Sequence, residues 1–395
     1  MPDGLQPASV GGMKQFLIVA TGGAGGDLPP LVAAALAIRE RGHQIAFVGD
    51  PSLGRALTGL GVELQVLPAE LDLGPRFASV MREAMTATNG DMVAAGPLVE
   101  QGLARWAEEI AEPIRRRVDE RRPDAILRSL FGVEAVHRAA PESPWAVINS
   151  TYYIGPNPPR ALEADIGPRA IPLLKRFASL LREADLVLHA TDQVFDYCFD
   201  RLPPHNHSVG PLGIWEPPVA RPEYLDEPGD PWVLVSISSQ IQDHVPLAQL
   251  ALRVLADKPV RVLLTVGPDH RTEEVTEVPA NAHVEQVVSH SAVLESGRLL
   301  VSHAGHGSVM KAVWYGRPMV LMLWGRDQPG VAARAQALGV AEVVQRGDNA
   351  ETALADAIDR ALVSSEMRKA VGANSERLRG TDPPRLAASL LESLV

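Results

Sequence analysis

The chain has one cysteine, Cys198, among its 395 residues, so no intrachain disulfide can form and a reducing compartment, the cytoplasm, is expected. Long apolar runs are also missing. Candidates such as 16–20 and 319–324 have strand length and are bounded by turn residues, which argues against integral membrane association. The first 13 residues lack the basic start and apolar run of a signal peptide. Lysine is scarce, with only Lys14, Lys175, Lys258, Lys311 and Lys369. Acidic residues outnumber basic ones by 48 to 37, for a net charge of −11, which disfavours a broad nucleic-acid footprint and leaves room only for a local anion site. Neither a solenoid-period repeat nor a low-complexity tract is present. What remains is a globular composition, 46% hydrophobic and 22% charged, at a length suited to two domains.

Strand and helix patterns alternate along the chain. A buried-strand pattern at 13–20 enters the glycine-rich turn 21–26. A helix over 28–40 follows, with Asp27 at its cap, Pro29 and Pro30 in its first turn and Gly42 beyond its end. Further strands are expected at 45–48, 125–127, 145–148 and 186–189, and a helix at 97–122 that Pro113 should bend or split. Residues 69–97 read as a mobile helix or a long loop. The Pro- and Gly-rich stretch 210–230 marks a domain boundary. A second series begins with strand 232–237, helix 246–256 and strands 260–266, 284–288 and 299–302. A helix from about Ser308, strand 319–323 and helices near 329–338, 350–362, 366–378 and 384–392 complete it. Two α/β domains with helices on both sheet faces are the expected architecture, and a cleft between them is a favoured ligand site.

Two turns carry chemistry. In Thr21-Gly22-Gly23-Ala24-Gly25-Gly26-Asp27, four glycines precede a helix start, where bare amides and partial positive charge suit an anion. The dinucleotide fingerprint fails in its natural frame, which weakens an oxidoreductase reading even with Gly49-Asp50 after the second strand. Asp27 reads either as a helix cap or as a carboxylate facing the cleft, able to take a proton. In the second half, a strand ends at His303 and a glycine-interrupted turn enters a helix. The amides of Gly305, His306, Gly307 and Ser308, the Ser308 hydroxyl and the His303 imidazole form a candidate diphosphate cradle. Asp327 and Gln328 end the next strand, where a carboxylate that accepts and an amide that also donates suit sugar hydroxyls. Metal binding is not expected, because His303 and His306 lack a cysteine or carboxylate partner nearby.

The 301–338 segment resembles the donor signature of the inverting family-1, UDP-glycosyltransferase-like enzymes of the GT-B fold, of the bacterial natural-product type. Its pattern is approximately H-x-G-x-[GN]-[ST]-x-x-E-A-x-x-x-G-x-P, then a short strand and D-Q or E-Q. His303, Gly305, Gly307, Ser308, Ala312, Gly316, Pro318, Asp327 and Gln328 fall in register. Val235-Ser236-Ile237-Ser238-Ser239 resembles the family's V-S-x-G-[ST] donor loop with Ser238 in place of glycine. Val287-Val288-Ser289-His290 resembles its nucleobase-side V-P-[QH] turn.

The resemblance implies two Rossmann-like domains facing across a cleft. An acceptor domain at 13–212, a linker at 213–230, a donor domain at 231–378 and a tail helix at 379–395 packing back on the first domain are expected. It implies metal-independent, inverting transfer from a UDP- or TDP-sugar co-substrate to a hydroxyl of a hydrophobic small molecule. No other cofactor is implied. Ser238, Ser239, His290, His303, Gly305, His306, Gly307, Ser308, Lys311, Asp327 and Gln328 are the implied donor residues. Phe77, Met81, Met85, Tyr152 and Trp324 are candidates for the acceptor wall.

Three further positions depart from the common pattern. Asp27 stands where G-x-x-G-H-x-x-P has histidine, as in a subset resembling sterol and glycopeptide-antibiotic glycosyltransferases, where that aspartate is the proposed base. Ser129 stands where histidine enzymes place an orienting aspartate. Lys311 stands where a ribose-binding glutamate is usual, and its ammonium would either reach a phosphate or face solvent. A sugar-nucleotide-binding partner protein and a nucleotide-sugar epimerase or hydrolase are the alternatives. The oligomeric state is left open, a homodimer included.

Overall fold

The structure is a computed structural model that describes residues 12–20, 26–153, 179–196, 202–237, 245–268, 270–325 and 327–395. The first sheet is built from β1 (Gln15–Ala20), α1 (Leu28–Glu40), β2 (Gln44–Gly49), α2 (Leu53–Leu57), β3 (Glu63–Val66), α3 (Leu73–Ala87) and α4 (Met92–Arg121). It continues through β4 (Ala125–Ser129), α5 (Val133–Ala139), β5 (Trp145–Asn149), β6 (Leu186–His189) and β7 (Asn206–Ser208). Its strand order is β3-β2-β1-β4-β5-β6-β7, parallel throughout.

The second sheet comprises β8 (Trp232–Ser236), α6 (Val245–Leu255), β9 (Arg261–Thr265), β10 (Ala282–Glu285), α7 (His290–Ser296), β11 (Leu299–Ser302), α8 (His306–Trp314), β12 (Met319–Met322), α9 (Gln328–Ala337) and β13 (Ala341–Val344). Helices α10 (Ala350–Val363), α11 (Ser365–Arg379) and α12 (Pro383–Glu392) end the chain. Its order is β10-β9-β8-β11-β12-β13, again parallel. These are two Rossmann-like domains. In each, strand order reverses beside the first strand, between β1 and β4 and between β8 and β11, the place where open parallel sheets bind ligands.

Parallel strands buried on both faces read as apolar runs, and β1, β5, β8 and β11 are buried along nearly their whole length. The interval 69–97 is mainly helix: α3 starts at Asp72, whose carboxylate accepts from the Gly74 amide, and α4 already begins at Met92. Pro113 does not split α4, which runs unbroken for 30 residues.

The last helix returns to the first domain. Ala387, Ala388 and Leu391 of α12 join the core formed by β1, α1 and β4, and Glu392 accepts two bonds from Arg41, each at 2.6 Å. This docking gives a stability prediction. Leu391 is fully buried, so Leu391→Ala should destabilise the fold by about 2–5 kcal/mol in chemical denaturation, although it lies four residues from the chain end.

Candidate functional site

Each sheet presents a helix N-terminus at its carboxyl edge, and these two ends converge. The turn 212–214 lies between them: a Cβ on Gly213 would sit 3.7 Å from Pro30 in the first turn of α1 and 4.0 Å from Gly307 in the first turn of α8. In α8 the first helical bond runs from the Val309 amide to the Gly305 carbonyl at 3.1 Å, so the amides of His306, Gly307 and Ser308 precede the ladder. The chain enters this turn through Ala304 at φ +70°, a left-handed conformation that L-residues rarely take. Gly305 has no room for a side chain, since its Cβ would meet His303 Nε2 at 2.6 Å. His303 is buried, with Nδ1 3.4 Å from the Ser236 carbonyl.

Two aspartates face this region from opposite domains. Asp27 occupies the N-cap position of α1 and Asp327 that of α9, yet neither carboxylate makes a cap bond. Asp27 accepts the hydroxyl of Ser150, and Asp327 accepts the hydroxyl of Thr151 at 2.6 Å. The plain capping reading of both residues therefore fails, and adjacent residues after β5 hold a carboxylate from each domain.

The remaining sequence candidates have varied surroundings. The His306 imidazole turns to the first domain, 3.0 Å from Thr191 Oγ1 and bonded to the main chain of Ser150. Burial pushes its pKa down to about 3, the Arg334 charge adds to this, and the Ser150 bond partly opposes it. Only its amide remains at the start of α8. The Lys311 ammonium does not face solvent: it is buried and held by Glu216 at 2.7 Å. Glu216 also accepts from Ser289 Oγ at 2.7 Å and from the amides of His290 and Ser291 at 3.0 and 3.1 Å. Burial raises the Glu216 pKa, but Lys311, His290 and these donors outweigh it and hold the carboxyl at about 2. His290 lies 2.9 Å from Thr265 Oγ1 and is lowered to about 4, mainly by burial and then by Lys311.

The Gln328 side-chain oxygen accepts the amides of Trp324 and Gly325 at 2.7 and 3.0 Å, so it shapes the loop ahead of α9. Trp324 is half-buried under the Arg346 guanidinium. Tyr152 does not line an open wall. It is fully buried, with Arg334 3.9 Å above its ring and the Gly330 backbone pressed against its hydroxyl. Phe77 packs on the first-domain core, and Met81 and Met85 are half-buried on α3. Ser238 and Ser239 lie outside the described residues.

Sequence reasoning missed the contacts that join the domains. Asp196 and Arg334 form an ion pair at 3.2 Å with both side chains fully buried, and Arg377 grips Asp192 at 2.6 and 2.8 Å. Ser150, Thr151, Thr191 and Glu216 belong to no local motif. Among the described residues no cluster of three His, Cys, Asp or Glu side chains could hold a metal, and no helix is long and apolar enough to cross a membrane.

Comparison with known proteins agrees with the two-domain fold. Residues 235–382 match the Glycosyltransferase family 28 C-terminal domain. The demethyllactenocin mycarosyltransferase of Streptomyces fradiae is 23% identical over 419 residues, covering 94% of this chain and 85% of the relative. The glycosyltransferase SnogD of Streptomyces nogalater superposes with a TM-score of 0.71 at 19% identity, over 97% of this chain and all of that one. The spinosyn rhamnosyltransferase SpnG complexed with thymidine diphosphate has a TM-score of 0.69 at 17% identity, over 96% and 99%. The fold is the two-domain GT-B arrangement. The chain is similar to bacterial natural-product, UDP-glycosyltransferase-like enzymes of that fold.

Neutral His306 at the domain contact has a pH consequence. Its folded pKa of about 3 lies below the ordinary value of 6.5, so between these limits the unfolded chain binds the extra proton. Its contribution to stability is therefore complete above pH 6.5 and falls as pH drops toward 3. Proton uptake on unfolding near pH 5 should decrease by about one in His306→Gln relative to wild type. Equal uptake would contradict the assignment.

Proposed function

We propose that this protein transfers a sugar, with inversion, from a UDP- or TDP-sugar to a hydroxyl of a hydrophobic small molecule. The observation that carries the reading is the convergence of the two helix starts, with the Asp27 carboxylate on one side and the first turn of α8 on the other. We assign the acceptor to the domain spanning 13–212 and the donor to 231–378, with 213–230 as linker and the tail from 379 packed back on the first domain. The spinosyn enzyme solved with thymidine diphosphate supports a nucleoside diphosphate as the donor's leaving group. The single cysteine supports a cytoplasmic setting.

In this reading Asp27 accepts the proton of the acceptor hydroxyl as its oxygen attacks the anomeric carbon opposite the diphosphate. The charge that develops on the departing phosphate is met by the amides of His306, Gly307 and Ser308, the Ser308 hydroxyl and the positive end of α8. These dipoles are fixed before the reaction, so they need little reorganisation in the transition state. Asp327, beside the cleft at the start of α9, binds sugar hydroxyls as an acceptor. Gln328 contributes by shaping the Trp324–Gly325 loop. The Ser150 hydroxyl donates to Asp27, which orients the carboxylate.

Asp27→Asn should lower kcat by about 10²–10⁴-fold while nucleoside diphosphate affinity, read by calorimetry, stays near wild type. Turnover that survives the substitution would reject Asp27 as the base. Ser308→Ala should weaken nucleoside diphosphate binding by about tenfold, the loss of one hydrogen bond to a charged group.

A further inference from the structure

We propose that Ser150 and Thr151 are positioning residues of the transfer reaction, their two hydroxyls setting Asp27 and Asp327 at once, and that the buried chain Asn206–His189–Asn149 aims them. The inference rests on the function proposed above. Ser150 is 123 residues from Asp27, and Thr151 is 176 from Asp327, so one dipeptide ties together two carboxylates on different domains. A carboxylate only accepts and a hydroxyl has one proton to give, so each contact fixes both the rotor and the carboxylate it serves. Neither aspartate is oriented by its own helix, because neither side chain makes a cap bond. The Ser150 main chain also bonds His306 at the start of α8, which places the dipeptide against the proposed diphosphate cradle.

The dipeptide is held from behind. Asn149 Oδ1 accepts the Thr151 amide at 3.3 Å, and Asn149 Nδ2 donates to the Tyr152 carbonyl at 3.3 Å and to His189 Nδ1 at 3.0 Å. On the far side of the ring, His189 Nε2 lies 2.7 Å from Asn206 Oδ1. The polarity is self-consistent. An amide nitrogen can only donate, so His189 Nδ1 accepts, and Nε2 carries the hydrogen that Asn206 takes. Burial lowers the His189 pKa to about 4, with the Asn206 bond partly opposing and His207 and His205 adding to the fall, so the ring keeps one neutral tautomer at neutral pH. Asn149, His189 and Asn206 are all buried, and a paired polar chain of this kind has few alternative arrangements.

The test is a split in kinetic constants. Ser150→Ala should lower kcat by about 10–100-fold, as misorientation of a catalytic group does, with the KM for nucleotide sugar within about twofold of wild type. Thr151→Val should raise that KM by about 5–10-fold and leave kcat nearly unchanged. Ser150→Thr and Thr151→Ser, which keep the hydroxyls, should restore each constant. Asn206→Ala should show both defects together, and nitrogen NMR should find His189 neutral with its hydrogen on Nε2 from pH 8 to pH 6. If the alanine and valine variants match wild type, or lose both constants together without rescue, the positioning role is wrong while transfer by the wild type keeps the proposed function. A charged His189 ring, or its hydrogen on Nδ1, would overturn the aiming chain. A wild type that transfers no sugar would overturn the function and this inference with it.

Discussion

The arrangement depends on one constraint: parallel strands must be joined by crossover helices, and each crossover starts a helix at the carboxyl edge of its sheet. With two such sheets facing each other, the positive ends of α1 and α8 point into a shared space. In the function proposed above, the carboxylate at one end serves as base and the amides at the other as anion cradle. The aspartates at both N-cap positions accept side-chain hydroxyls of neighbouring residues after β5, Asp27 from Ser150 within the first domain and Asp327 from Thr151 across to it.

Buried charge at that junction works through geometry more than through stability. Removing Asp196 and Arg334 from water costs several kcal/mol per ion, and their attraction offsets this only in a well-formed pair. Such a pair rejects misaligned docking of the two domains, because a displaced guanidinium would be left buried without its carboxylate. Glu216 and Lys311 do the same for the segment around residue 216. The lysine at a position where the family usually has glutamate is matched by the Glu216 carboxylate, and the cluster anchors residues 289–291 and α8 to one point.

Much of the fold was legible because buried parallel strands and amphipathic helices write themselves locally. The helix 28–40 was bounded correctly by its prolines and Gly42, the strand at 299–302 by its apolar run, and the strand expected at 319–323 ends one residue earlier, at Met322. The short strands β3, β7 and β13 were missed because they carry polar residues: Asn206, His207 and Ser208 make up all of β7. Residues 69–97 were ambiguous because α3 buries only Leu73, Val80 and Ala84. At the site, the motif spacing identified the helix start at 305–308 and both aspartates as candidates. It could not reveal that the His306 ring faces Thr191, that Lys311 meets Glu216, or that Tyr152 is fully covered by Arg334 and α9. Each of those contacts joins segments about 95 residues or more apart, and no local pattern encodes such a meeting.

A crystal structure of the protein with a nucleoside diphosphate tests the central claim most directly. The account predicts the terminal phosphate within hydrogen-bond distance of the amides of His306, Gly307 and Ser308, with the Asp27 carboxylate facing it from the other domain. A nucleotide seated elsewhere, with that helix start covered by protein, would contradict it.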